Sequence, residues 1–435
     1  MSDDKKARTG KAVSRRTVLK GSAAAAGLAV GSGAVSGFPT IWAQNIKDVT
    51  LRFVGSGVTH QAPWKAMIEK DMGFKVDFTV TDFDTIKNRG ITQPRSYDLL
   101  EPTANNLRAM WPTNVFQAID STRLKHWDEA IDLYHAEGKI WPDASFGQGQ
   151  NPSLVLYTDK QGGRKFAKAG SSKWLTMVPS QHNADTLGYN RDLTGRTLET
   201  WAELISDEWR GRVALQLLPE IALMDMGMAL KASGLVAYED MGNMTRDEID
   251  KTFAIMNDLK RQKHFRGFWL TFGESVNLML SKEVVLQSMW SPAVTVVRAQ
   301  GVNAVYADLK EGYRAWTIGF MLPKHLDGLK LDAAYAFFDW LYTGSSGAYF
   351  AKQGYYMPTP QRTKEFLSED EWGFWYEGKA AKGVIKDPLG NDLEQPGRVR
   401  DGGTYKNRMG RVAVWNSEPD ELVYMTDKFD EFQAI

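Results

Sequence analysis

Two tryptophans, Trp290 and Trp316, stand where short extended segments meet turns, and an indole held there can stack on a cation. The stretch around them, 288–323, reads as a strand ending at Met289-Trp290, a short helix and a second strand over 304–308. A turn at Lys310-Glu311-Gly312 and a third extended segment over 315–322 follow. A side chain at a strand end is positioned by a rigid sheet yet free to meet a ligand, so this stretch is expected to form one wall of a cleft and one crossing between two lobes. Core packing is the competing role for either indole. Glu274, in the turn Thr271-Phe272-Gly273-Glu274-Ser275, is a candidate acid for the same cleft, with a solvated turn as its alternative.

Covalent and metal chemistry lack their usual residues. The chain has no cysteine, so disulfides and thiolate metal sites are excluded, and its six histidines show no helical zinc spacing. No serine elbow, HExxH or phosphate-binding GK[ST] is present. The Gly55-Ser56-Gly57 turn is too short for a phosphate loop and is expected to present Ser56 and Thr59 to the cleft. Glu369-Asp370-Glu371 clusters carboxylates, but Ser368 and Glu371 have capping-box spacing, which makes a helix start. No cofactor is expected.

The elements that must position these residues alternate between helix and strand, which predicts an α/β chain. At 435 residues, with 43% hydrophobic and 24% charged, two domains are expected. Fifteen tryptophans exceed what such a core needs and suit a binding cleft. A strand over 48–55, a helix over 61–72, a strand over 75–80, a helix over 82–90 and a strand over 97–101 make two βα units and a third strand. Residues 117–174 read as a loop-rich excursion. Thr245 to Glu248 starts a capped amphipathic helix over 245–260, another helix covers 329–342, and a polar segment with the aromatic patch Trp372, Phe374, Trp375 and Tyr376 ends the chain.

At the N-terminus, Ser14-Arg15-Arg16-Thr17-Val18-Leu19-Lys20 resembles the twin-arginine export motif, with Val18 where that motif favours Phe. The Gly/Ala-rich run over 21–35 is too short and glycine-rich to span a membrane. Residues 1–43 are therefore expected to be a twin-arginine signal peptide, processed near Ala43-Gln44, and the protein periplasmic. That segment holds seven Lys/Arg and two Asp/Glu, leaving 46 basic and 51 acidic residues, net −5. Such a surface argues against nucleic acid and anionic membrane as partners.

Several blocks, in order, resemble the periplasmic solute-binding proteins of ABC importers, the spermidine/putrescine-binding subgroup in particular. They are LRFVGSGVT, YDLLEPT, DTLGYNRDL, TWAELISDEWRGRVAL, SMWSPA, KEGYRAWTIGFMLPK and GYYMPTP. The resemblance implies a type II periplasmic binding protein fold, two α/β lobes with a ligand cleft between them, here 44–184 with 316–357 and 185–315 with 358–435. It implies a small-molecule ligand, ABC permease subunits as partners, a monomer and no enzymatic activity. Carried onto this sequence, the cleft would include Ser56, Thr59, Thr103, Asn105, Asp185, Glu220, Trp290, Trp316 and Tyr355. Structural roles compete for two of these: a helix-start charge for Glu220 and a backbone-holding side chain for Asp185.

In the polyamine-binding subgroup an acid lies two residues after the second tryptophan; here that position is Ile318, and Ile221 stands beside Glu220. Because an unpaired buried ammonium is very costly, this departure points from a diammonium ligand to a cationic or zwitterionic nitrogen compound with one cation. Two alternatives remain. Adjacent Tyr355-Tyr356 resembles the iron ligands of ferric-binding relatives, and a secreted hydrolase or lyase is the other.

Overall fold

The computed structural model describes residues 46–435; the expected leader and its processing site lie outside the described residues. Two long strands cross the middle of the fold. Val178–Asn190 pairs antiparallel with Tyr313–Phe320, so that Asn183 lies opposite Trp316 and Asp185 opposite Arg314. All thirteen residues of Val178–Asn190 are buried, although Gln181, His182, Asn183, Asp185 and Thr186 are polar. A strand covered on both faces is normally a run of apolar residues, so each polar group here calls for a partner. His182 lies between the hydroxyls of Tyr134 and Tyr405, 3.1 Å from each. Burial pulls its pKa down to about 3, so the imidazole is neutral.

Around these crossings eight strands form one sheet. Its order is Phe265–Trp269, Val213–Gln216, Leu286–Met289, Val178–Asn190, Tyr313–Phe320, Val412–Trp415 and Gln148–Gly149, with Ala304–Tyr306 also on Val178–Asn190. A second, parallel sheet orders Lys75–Val80, Thr50–Gly55 and Leu99–Leu100, as the βα reading predicts. Helix Ala62–Met72 starts on a proline and ends at Gly73, and Phe83–Thr92 starts where the Asp82 side chain accepts from the Thr85 amide. At Gly55 a Cβ would fall 2.0 Å from the His60 ring, so only glycine lets the loop fold back over its strand.

The apolar interior divides into two main clusters. One takes its members from 49–184 and 313–415, the other from 187–309 and 414–432. Residues beyond 358, expected with the second lobe, serve both. Trp372, Phe374, Trp375 and Tyr376 pack into the first cluster, and Met425, Phe429 and Phe432 of helix Leu422–Ala434 into the second. The excursion over 117–174 carries a four-stranded antiparallel sheet, Ile119–Asp120, Trp174–Leu175, Tyr157–Thr158 and Phe166–Ala167. Capping boxes form at Thr245, Thr271 and Ser368.

The two clusters meet at a buried charge. Arg314, on the second crossing, donates from Nε to Asp225 Oδ1 at 2.7 Å and from Nη1 to Asn416 Oδ1 at 2.8 Å. Its Nη2 lies 3.6 Å from Asp185 Oδ2, and all three charged side chains are at most 2% exposed. Asp225 belongs to helix Pro219–Ala232 and Asn416 follows strand Val412–Trp415, so one guanidinium ties three segments together. Removing one partner of a buried pair leaves the other uncompensated. Asp225→Ala should therefore cost about 3–5 kcal/mol in denaturant unfolding, whereas a loss under ~1 kcal/mol would show the network to be dispensable.

Candidate functional site

Immediately beside this network lies an inner cavity of about 50 Å³, with room for roughly three to five water-sized groups. Its floor comes from the crossings: Asp185 from the first, Trp316 and Ile318 from the second, and Asn416 beyond the strand beside them. Side chains stand perpendicular to a sheet, and Asp185, Trp316 and Ile318 thus face one chamber. Its sides come from the carboxyl ends of strands in both sheets, where α/β proteins place ligands. Thr103 and Asn105 follow Leu99–Leu100, Gln216 ends Val213–Gln216, Glu220 opens the next helix, and Trp290 follows Leu286–Met289.

The cavity has two ionisable carboxyl groups and no basic side chain on its lining. Asp185 accepts from Trp316 Nε1 at 2.9 Å and from the Tyr306 hydroxyl at 3.2 Å. Burial raises its pKa to about 6 against the pull of Arg314, and Asp225 adds to the rise. Glu220 sits in the first turn of Pro219–Ala232, where its own backbone amide and the helix end favour the anion. Burial outweighs them and raises the Glu220 pKa to about 7, helped by Asp84 and opposed by Lys87. Lys87 is itself engaged, 2.9 Å from Glu418 Oε1. The Gln216 side chain is buried and its Oε1 has no protein partner, so a polar acceptor waits on the cavity wall.

Aromatic rings close the rest. Trp316 meets Tyr355 edge-on at 6.0 Å, and Trp290 meets Trp269 edge-on at 5.2 Å. Tyr355 is positioned from far away in sequence. Gly354 before it has φ +94, and its carbonyl accepts from Arg400 Nη2 at 2.8 Å and from Asn183 Nδ2 at 3.2 Å. Arg400 Nη1 also donates to the Tyr356 hydroxyl at 2.8 Å and to the Trp375 carbonyl at 2.6 Å. Buried without a direct carboxylate partner, this guanidinium has its pKa lowered to about 10. The two adjacent tyrosines part company: Tyr355 lines the cavity, while Tyr356 is fully buried against Tyr405 with ring centroids 4.2 Å apart. Among the described residues no group of His, Cys, Asp and Glu is arranged to hold a metal.

Of the ten residues singled out from sequence, Thr103, Asn105, Asp185, Glu220, Trp290, Trp316 and Tyr355 meet at this cavity. Ser56 lines a larger chamber outside it. Thr59 is buried off the cavity and spends its hydroxyl on Glu101. Glu274 also lies away from it; as the third residue of helix Phe272–Leu280 it accepts from the amides of Leu270 and Thr271, at 2.8 Å each. Those bonds lower its pKa, as expected of a capping carboxylate rather than a poised one. Gln216, Asn416, Phe83 and Val58 join the lining without having been singled out, and Arg314 and Arg400 hold it from behind. No single motif marks them, because each arrives through pairing or packing distant in sequence.

No match is found among curated proteins. Among solved structures, the spermidine/putrescine ABC transporter substrate-binding protein PotD from Streptococcus pneumoniae superposes with TM-score 0.59 at 14% identity, covering 88% of this chain and 98% of that one. A putative spermidine/putrescine ABC transporter protein from Listeria monocytogenes gives 0.57 at 16% identity, with 88% and 98% covered. The binding protein MotA from A. tumefaciens B6, in complex with glucopine, gives 0.55 at 12% identity, with 89% and 99% covered. At these identities the likeness concerns the fold, the two-lobed periplasmic binding protein fold. The model of a bacterial extracellular solute-binding protein family matches residues 64–373, well over half of the sequence, and the chain belongs to that family.

Proposed function

We propose that this protein is the substrate-binding subunit of an ABC importer, working in the periplasm. It would capture a small cationic or zwitterionic nitrogen compound between its lobes and hand it to a membrane permease. The observation that carries the reading is the charge balance of the inner cavity: Asp185 and Glu220 on its lining, no basic side chain, and Trp290 and Trp316 beside them. An ammonium placed there would pair with a carboxylate and lie near indole faces, each such face adding roughly 0.5–2 kcal/mol. Arg314 is engaged by Asp225 and Asn416, so a carboxylate on the ligand finds no free cation, and this favours a cation over a zwitterion. The capture step needs no bond making. What it needs is a difference in affinity between open and closed lobes, which a cation bridging the two sheets provides. The spermidine/putrescine and glucopine of the structural neighbours are compatible with this class without selecting a member of it.

A thermal-shift panel of amines, betaines, amino acids, sugars and Fe³⁺ is the direct test. An amine at a hundred times its Kd should add about 2.7 kcal/mol of stability; a response confined to sugars or Fe³⁺ would sink the proposal. Glu220→Gln should weaken amine binding by about 2–5 kcal/mol, roughly thirtyfold or more, in titration calorimetry.

Acidity supplies a third check. Both carboxyl groups have raised pKa values in the empty protein, near 7 and near 6, so a cation binding at lower pH must first displace their protons. Amine affinity is expected to fall as pH drops from 8 to 5, by up to ~10-fold per unit for each proton displaced. In the empty protein the same two groups act with the opposite sign on stability, since a raised carboxyl pKa favours the folded state toward low pH. Calorimetry across this range should find proton release on binding, and the release should shrink in Glu220→Gln; a flat profile would contradict the assignment.

A further inference from the structure

Val58, Phe83, Leu218, Trp290 and Tyr355 line the inner cavity and also a second chamber of about 890 Å³ outside it, so these five side chains form a gate between the two. The outer chamber is dominated by apolar surface drawn from separate parts of the chain. Val80, Leu270 and Leu389 line it, and they are large hydrophobics left 52%, 48% and 67% exposed. Phe272, Pro292 and Val296 extend the same surface. Exposed apolar groups converging on one concavity mark a place where something apolar is bound.

The wall bearing Leu389 is anchored. Leu389 lies between the paired strands Ile385–Lys386 and Asp392–Glu394. Glu394, 2% exposed, accepts from Arg298 Nε at 3.0 Å, and Arg298 also donates to Asp401 at 2.8 Å.

Acids are present in the outer chamber too, and two of the three already accept hydrogen bonds from the protein. Asp82 accepts from the Thr85 amide at 2.8 Å and from the Thr85 hydroxyl at 2.7 Å, and its pKa is lowered. Asp387 accepts from the amides of Leu389 and Asn391 and from Asn391 Nδ2, at 2.8–2.9 Å. Asp84 lies 3.6 Å from Lys87 Nζ. The larger part of the outer chamber's surface is nevertheless hydrocarbon, from Val80, Leu270, Phe272 and Leu389 among others.

We infer that the ligand is an amine with an apolar body, its ammonium head in the inner cavity and that body passing the gate into the outer chamber. The inference rests on the amine reading of the inner cavity and narrows it.

Titration calorimetry on the full chain with n-propylamine through n-hexylamine tests this. Affinity should rise roughly two- to fourfold per added methylene. An affinity independent of chain length overturns the inference while leaving the amine reading standing. No binding anywhere in the series overturns both. Leu389→Asp, at an exposed position that does not threaten folding, should reduce the gain per methylene; an unchanged gain in that variant removes the outer chamber from the site.

Discussion

One guanidinium holds the centre of this protein. Arg314 lies on a crossing strand, out of water, and its charge is acceptable there only because Asp225, Asp185 and Asn416 converge on it from different segments. Two consequences follow from that single requirement. Two carboxyl groups, Asp225 and Asp185, converge on one guanidinium beside the cavity. And Asp185, drawn in by Arg314 and held by Trp316 and Tyr306, presents a carboxyl group whose protonation is finely balanced. The electrostatic character of the site is thus a by-product of what joins the two halves.

Around that centre the polar groups that face the inner cavity are Asp185, Glu220, Gln216, Asn105 and Asn416; the outer chamber adds exposed hydrocarbon at Leu270 and Leu389 and the carboxylates of Asp82, Asp84 and Asp387. A polar group is worth most where water is excluded, because there an unmet hydrogen bond is costly, so discrimination is concentrated in the inner cavity. Area at the outer positions adds affinity with little regard to shape.

The sequence carried the local part of this arrangement. Strand-end positions depend on a few neighbouring residues, so Trp290 and Trp316 could be assigned to a cleft from the sequence, whereas Asp185, Glu220 and Tyr355 were carried there by the family resemblance; the first βα units were legible from alternation. Glu274 shows how a legible signal can be passed over: its spacing from Thr271 is that of a capping box, the same pattern read correctly at Thr245 and Ser368. Arg314 and Arg400 were out of reach for a different reason. Their roles depend on partners 89 and 46 positions away, Asp225 and Gly354, and no local periodicity encodes such pairings. The aromatic patch from Trp372 to Tyr376 was visible, but which core it enters depends on packing against Tyr356 and Tyr405.

The crossing strands Val178–Asn190 and Tyr313–Phe320 and their neighbour Val412–Trp415 are adjacent in one sheet. A hydrogen-bonded ribbon of this kind is stiff within its own plane, since sliding or splaying the strands breaks backbone hydrogen bonds, but it bends readily along its normal. The floor residues of the cavity project along that normal. The compliant direction of these strands is therefore the direction in which the chamber would deepen or shallow, and in-plane shear is resisted by the same bonds that build the floor. In mechanical terms the floor of the cavity is a three-strand leaf spring.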